Sequence, residues 1–374
     1  MLRPLPKVSA KSIAPLSPTA QVALTWPTIG QGAIGTAGQG VLVSTNAQQP
    51  VPTASVAKIM MALTVLKKHP LKSGEQGPLI TMTTDDVDLY DKYVVIDGSV
   101  VKVVAGEQLS EYQALQAALL PSANNIADTL ALWAYGSMDA YHTAANGVAQ
   151  SLGMTHSTFA GDASGFLPET VSTASDLVLL GEAALVEPVV REIVAQASAD
   201  LPVVGTVHNV NFLLGKDGNI GIKTGNSDQA GGCFLFATTR VVAGAQNVTS
   251  VGAILGATSL AQALMDSKLL TDSFYNALSP DLMLKKDTVV ARYSLPWGGT
   301  IDAVAAQDVR VVNFSGAKVT TKVNTQPIHA GEKEGTAVGS VTVQSSFATQ
   351  QVPVVLSGAV PSPGWWWGLH RGLF

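Results

Sequence analysis

SVAKIMMALTVLKK, residues 55–68, is the stretch on which the reading of this chain turns. Its apolar residues Val56, Ile59, Met60 and Leu63 recur at the spacing of one helix face, which predicts an amphipathic helix. Ser55 stands where an N-cap belongs, Lys67 and Lys68 suit the negative end of the helix dipole, and Pro70 closes the run. Ser55 and Lys58 then share a face, so a lysine amine can reach a hydroxyl one turn back.

That pairing suggests chemistry. A serine hydroxyl is a poor nucleophile at neutral pH and needs a base. No G-x-S-x-G elbow is present and no histidine falls in a recognisable triad motif. Lysine can take the role when burial and a nearby cation lower its pKa, and Lys223 is the candidate cation. The free N–H groups at the start of the helix suit negative charge developing on a carbonyl oxygen.

Short patterns recur by chance, and this sequence holds its own controls. Ser-x-x-Lys also occurs at Ser99–Lys102, within GSVVKVV, which reads as a strand whose third neighbours face opposite ways. It occurs again at Ser315–Lys318, at a glycine-containing turn. Only Ser55–Lys58 opens a helix. Ser-x-Asn occurs at Ser44–Asn46 and Ser122–Asn124, and Lys-Thr-Gly once, at Lys223–Thr224–Gly225.

Working outward, a second helix is predicted from Ser110, where Ser110 and Gln113 form a capping-box pattern; Pro121 interrupts it and NNIADTLALWAY resumes it. Helical spacing continues near 139–152 and 174–197. The period then changes, and IGIKTG, CFLFATTRVV and VTSVGAILGA read as adjacent strands parted by Gly/Asn/Asp/Gln turns. A helix from about Ser259 to Leu278 follows, and beyond Pro280 come short Val/Thr-rich runs typical of a small β-sandwich. The expected organisation is an extended N-terminal extension over 1–25, a catalytic domain over 26–277, a β-sandwich over 278–360 and a Trp-rich tail over 361–374. Trp365, Trp366 and Trp367 suit either a membrane–water interface or packing on the β-domain, and both readings stand.

Composition narrows the function classes. With 47% hydrophobic and 13% charged residues, the 374-residue chain is folded and large enough for a sizeable core. A net charge of -5 gives no footprint for nucleic acid. Cys233 is the only cysteine and reads as a buried thiol, and the six histidines are scattered, so no metal site or other cofactor is expected. The first thirty residues carry Arg3 and Lys7 but no apolar core of a signal peptide.

Taken in order, Ser55-x-x-Lys58, Ser122-x-Asn124 and Lys223-Thr224-Gly225 resemble the three signatures of the penicillin-binding proteins and serine β-lactamases. The flanks PVPTASVAKIMMAL, LLPSANNIAD, STASDL and NVNFLLGKDGNIGIKTGNSDQAGGC are similar to the low-molecular-mass D-alanyl-D-alanine carboxypeptidases, over roughly residues 30–275. The resemblance implies an α+β transpeptidase-like fold, a helical cluster packed on an antiparallel sheet, with a further β-domain. It implies that Ser55 attacks the carbonyl between two terminal D-alanines of a peptidoglycan stem pentapeptide and that Lys58 takes its proton. Ser122 would relay a proton to the leaving amine, and Asn124 would hold substrate and Lys58. Lys223 and Thr224 would grip the terminal carboxylate, Gly225 would leave room for substrate backbone, and the N–H groups of Ser55 and Asn226 would form the oxyanion hole. It further implies covalent inhibition by β-lactams, an extracytoplasmic place in the cell envelope and a peripheral membrane contact through the tail. The sequence departs from the commonest wording at Ile59-Met60-Met61 and at Asn226-Ser227.

A class A-like β-lactamase needs a deacylating glutamate in an E-x-x-x-N loop between the second and third motifs. Glu169, Glu182, Glu187 and Glu192 all lack an asparagine four residues on, so β-lactam adducts are expected to leave slowly. A binding protein without turnover, and transpeptidation to an amine acceptor, remain as alternatives.

Overall fold

The computed structural model describes residues 7–12, 23–46, 48–242, 246–314, 319–345 and 347–370. They divide into two units. One comprises Leu24–Val241 and Asn247–Tyr275, and the other is mainly the chain from Asn276 onward.

The first unit is built on a five-stranded sheet in the order Asn219–Ser227, Gly231–Val242, Gln246–Ala257, Gln31–Thr36, Gly40–Ser44. Its helices are α1 (Ala57–Lys68), α2 (Thr84–Val95), α3 (Glu111–Leu119), α4 (Asn124–Tyr135), α5 (Met138–Ser151), α6 (Ala174–Val186), α7 (Pro188–Val194) and α8 (Leu260–Asn276). The strands alternate as a sheet buried on both faces must. Leu235, Ala237, Val251 and Ala253 enter the core shared with the helices from α1 to α7. On the opposite face, Phe236 meets Ser267 and Thr271 of α8 in a small cleft. There the Tyr275 hydroxyl lies 2.6 Å from the Thr238 carbonyl and 2.7 Å from that of Val248. The mixed helix and antiparallel-sheet architecture agrees with the expected fold class.

The helix predicted from residues 55–68 forms with two differences. α1 is enclosed on nearly every side, with Ile59, Met60, Met61, Ala62 and Val65 fully buried and only its last turn exposed. An apolar stripe read from sequence cannot distinguish a surface helix from one surrounded by other helices. Ile59, Met60, Met61 and Val65 each contribute about 1.5–3 kcal/mol of hydrophobic stabilisation. The second difference lies at the start. A 3-10 turn, Ala54–Val56, precedes α1, and Ser55 makes no capping hydrogen bond.

The capping box at Ser110 and Gln113 is present as predicted, and α3 and α4 flank Pro121. The predicted strand at Ser99–Lys102 is not formed. That segment is irregular, and Asn125 takes the place of a ladder partner, accepting from the Val101 N–H (3.1 Å) and donating to its carbonyl (2.8 Å). Ser99 and Lys102 are both exposed. Ser315–Lys318 lies outside the described residues.

The second unit is a two-layer β structure. A six-stranded sheet runs Ala10–Ser12, Val289–Ser294, Thr300–Ala305, Thr349–Leu356, Ala337–Gln344, Thr320–Thr325, and a two-stranded ladder pairs Leu278–Leu284 with Val309–Phe314. Both contribute to one core, through Leu284 and Val311 from the ladder and Val341 and Val354 from the sheet. Within the expected N-terminal extension, Ala10–Ser12 forms a short strand that pairs antiparallel with Ala291–Tyr293. Three residues are too few for a period to register in the sequence. Residues 1–6 and 13–22 of that extension lie outside the described residues, as do Arg371 and Phe374 of the tail.

Candidate active site

Residues 53–58 place the nucleophile candidate. Ala54 adopts φ +46°, a left-handed conformation unusual for a residue with a Cβ, and this turns the chain just before Ser55. The turn fits because two neighbours are glycines. A Cβ on Gly165 would stand 2.2 Å from the Ala54 carbonyl oxygen and 2.6 Å from the Ala57 Cβ. A Cβ on Gly225 would stand 3.0 Å from the Thr53 carbonyl oxygen and 3.1 Å from the Ser55 nitrogen. The strand carrying Lys223, Thr224 and Gly225 therefore approaches the serine turn almost backbone to backbone. This strand is the sheet edge, and its outer side has no strand partner among the described residues.

Lys58 is fully buried at the centre of a three-pointed cage. Its Nζ lies 2.8 Å from Ser55 Oγ, 2.7 Å from Asn124 Oδ1 and 3.2 Å from the Ser164 carbonyl oxygen. An ammonium group satisfies all three contacts as donor. A neutral amine has two N–H bonds and one lone pair. Asn124 and Ser164 can only accept, so they take both N–H bonds and leave the lone pair aimed at Ser55 Oγ–H. The cage thus orients the amine toward Ser55. Burial lowers the Lys58 pKa to about 7, against the opposing pull of Asp162 and then Asp128.

Lys223 is buried as well, and its Nζ donates to the Thr224 carbonyl at 3.0 Å. Burial, and then the charge on Lys58, hold it well below the ordinary lysine range. The expected repulsion between the two lysines is present, and it is Lys223 that yields to it. For Lys58, burial is the governing cause.

Ser122 is buried at φ +69°, two residues before Asn124 opens α4. The Asn124 N–H donates to the Ser99 carbonyl at 2.7 Å, which fixes that end of the helix. Thr224 and Gly225 are buried and Asn226 is exposed on the edge strand. Of the eight residues singled out in the sequence, direct hydrogen bonds join Ser55, Lys58 and Asn124. Gly225 packs on their turn and Lys223 reaches them by charge. Ser122, Thr224 and Asn226 make no direct hydrogen bond to that trio among the described residues.

Sequence reading missed the groups behind the cage: Ser164, Asp162, Asp128 and Tyr93. Asp128 follows Asn124 by four residues on α4, and that helical spacing could have flagged it. Ser164 and Asp162 sit in an irregular loop, where no periodicity marks them. Cys233 is buried as expected, across the ladder from Gly225, and burial pushes its thiol up to about 11. A cleft of about 530 Å³ between α2 and α4, lined by Leu89, Lys92 and Trp133, contains none of the eight residues. Convergence of a serine hydroxyl, an oriented buried amine and a second buried lysine marks the candidate site.

Residues 33–258 match the sequence model of the D-alanyl-D-alanine carboxypeptidase family of serine peptidases. A D-alanyl-D-alanine endopeptidase of Pseudomonas aeruginosa is 31% identical over 211 residues, covering 53% of this chain and 63% of the relative. A D-alanyl-D-alanine carboxypeptidase of Mycobacterium tuberculosis is 32% identical over 195 residues, covering 50% of this chain and 62% of the relative. The chain thus spans less than two thirds of the length of these relatives. A solved peptidoglycan synthesis regulatory factor from Streptococcus pneumoniae shares the fold over 89% of this chain and 99% of its own, with a TM-score of 0.62 at 19% identity.

Proposed function

The chain belongs to the D-alanyl-D-alanine carboxypeptidase family, and from that premise we propose that it hydrolyses the terminal D-alanine from peptidoglycan stem pentapeptides through an acyl-enzyme on Ser55. One observation carries the reading: the Lys58 amine, buried and oriented by two acceptors, points its free position at Ser55 Oγ 2.8 Å away.

The steps combine the Ser55–Lys58–Asn124 geometry with the roles that the family resemblance implies for Ser122, Lys223, Thr224 and Asn226. Ser55 Oγ attacks the carbonyl carbon of the penultimate D-alanine as its proton passes to Lys58 Nζ. The N–H groups of Ser55 and Asn226 receive the charge that develops on the carbonyl oxygen. The C–N bond breaks as the proton held on Lys58 passes through Ser122 to the leaving D-alanine, and an ester on Ser55 remains. Water then adds to that ester as Lys58 accepts its proton, the ester C–O bond breaks, and that proton returns to Ser55 Oγ as the shortened peptide departs as a carboxylic acid. The substrate backbone lies along the open edge of the Lys223 strand, with its terminal carboxylate between Lys223 and Thr224. An incoming carboxylate favours the charged form of Lys223, so substrate brings the second cation into play. β-Lactams, whose strained amide presents the same carbonyl and carboxylate, acylate Ser55 and leave slowly.

The test pairs release of D-alanine from a synthetic pentapeptide with labelling by a fluorescent penicillin. Release and labelling, both lost in Ser55→Ala, are expected. Labelling without release points instead to a binding protein, and rapid penicillin hydrolysis to a lactamase.

The tail supports a second contact, with a membrane surface on the outer side of the cytoplasmic membrane. Trp367 and Trp297 are tied down, their ring N–H groups donating to the carbonyls of Pro296 (3.0 Å) and Pro361 (2.9 Å). Trp365 and Trp366 lie with tilted rings 4.1 Å apart between centroids and are 66% and 61% exposed. Two exposed indoles on an anchored turn suit an interfacial foothold. Vesicle co-sedimentation should fall on Trp365→Ala/Trp366→Ala, and equal binding by parent and variant would rule the contact out. Among the described residues no helix is long and apolar enough to cross a membrane.

A further inference from the structure

A second polar cluster lies behind Lys58, and the acyl-transfer steps make no use of it. Tyr93 of α2, Asp128 of α4 and Asp162 of the loop after α5 are all buried. The Tyr93 hydroxyl oxygen lies 2.7 Å from Asp128 Oδ2 and 3.0 Å from Asp162 Oδ2. A phenol has one proton and can donate to only one of them. The other short contact is a hydrogen bond only when a carboxyl group carries a proton.

The remaining partners identify which carboxyl that is. Asp162 accepts from the Ser164 hydroxyl, the Phe166 N–H (3.2 Å) and the Leu167 N–H (3.0 Å), so its oxygens are already taken up as acceptors. Among the described residues, Asp128 has besides Tyr93 only the Ala163 N–H as a donor, at 2.9 Å. Burial and then the Asp162 charge push the Asp128 carboxyl up to about 6. The proton therefore belongs on Asp128, in a chain that runs Asp128 O–H to Tyr93 oxygen and Tyr93 O–H to Asp162. Lys58 faces the pair from α1 and Lys92 from α2. Tyr141 faces it from α5, kept un-ionised by burial and by both carboxylates. Lys223 stands beyond Lys58 on the edge strand.

The pair acts on Lys58 in two ways. Asp162 braces the loop that presents the Ser164 carbonyl to Lys58 Nζ. Both carboxylates also draw positive charge onto Lys58, against burial.

We propose that Asp128 and Asp162, bridged by Tyr93, hold one proton between them and act as a positioning unit whose charge sets how readily Lys58 accepts the proton of Ser55. This rests on the reading of Lys58 as the base. With the proton in place the pair carries one negative charge. Its loss as pH rises adds a second, which holds a proton on Lys58 and delays its release as a free amine.

Asp128→Asn tests this, because an amide N–H replaces the carboxyl O–H toward Tyr93 and fixes the charge at one. The full chain is acylated with a fluorescent penicillin by stopped flow from pH 5 to 9. The rising limb of the rate should move to lower pH by about one unit in Asp128→Asn, and in the same direction in Tyr93→Phe. In the parent, 13C carboxyl NMR of aspartate-labelled protein should show one aspartate titrating near pH 6, absent from Asp128→Asn. An unmoved limb in a folded Asp128→Asn overturns the proposal, as does a parent in which no aspartate titrates above the ordinary carboxylate range. The NMR result stands without activity, so a parent that is not acylated at Ser55 refutes the base assignment and leaves the proton-sharing pair to be judged separately.

Discussion

Replacing Lys58 by methionine tests burial of the base through stability, independently of any substrate. Methionine fills a similar volume without a charge. In the folded protein burial lowers the Lys58 pKa from 10.5 to about 7, whereas the unfolded chain keeps the ordinary value. Between those values the unfolded state binds more protons than the folded one, so parent stability rises with pH across that window. At about 1.4 kcal/mol per pH unit, a fall from 10.5 to about 7 corresponds to roughly 5 kcal/mol. That destabilisation is present in full below pH 7 and is relieved as pH climbs toward 10.5. Lys58→Met removes it, while leaving Asn124 Oδ1 and the Ser164 carbonyl without their donor, a pH-independent loss of about 1–3 kcal/mol each. The offset between parent and variant is therefore uninformative and the slope decides. Relief of Lys223 from its charged neighbour flattens the variant's own profile further. Urea unfolding of both proteins from pH 6 to 10.5 should show the variant's advantage shrinking by several kcal/mol. A difference independent of pH across that range would refute a depressed Lys58.

Asn124→Asp places a carboxylate 2.7 Å from Lys58 Nζ and should move the rising limb of acylation to higher pH by about 1–3 units; an unmoved pH–rate profile would refute the electrostatic reading. Gly165→Ala forces a Cβ to 2.2 Å from the Ala54 carbonyl in a left-handed residue, and should destabilise the unit by about 2–4 kcal/mol, read as a lower unfolding midpoint. Cys233, buried with its thiol pushed up to about 11, should resist a thiol-reactive chromophore in native protein and react on unfolding.

The sheet, the helices and the fold class were legible because their signals are periodic. Strands buried on both faces read as apolar runs, and α3 announced itself through Ser110 and Gln113. α1 was found but its environment was not, since enclosure on all sides depends on α3 to α6, which lie far along the chain. Thr83 and Asp86 cap α2 in the same manner as Ser110 and Gln113, a signal present in the sequence and overlooked. Within the site, Ser55, Lys58 and Asn124 were legible as motif residues. Ala54's positive φ and the Gly165 contact that permits it were not, because neither has a local signature. The same is true of the Tyr93–Asp128–Asp162 cluster, whose three members come from two helices and an irregular loop and meet only in the folded chain.

The most direct measurement of the central claim is peptide mapping of the β-lactam adduct by mass spectrometry, on parent and Ser55→Ala protein side by side. The account predicts a single adduct on the peptide containing residues 55–58, at Ser55, and no adduct in the variant. An adduct on any other side chain, or one that persists in Ser55→Ala, would contradict it.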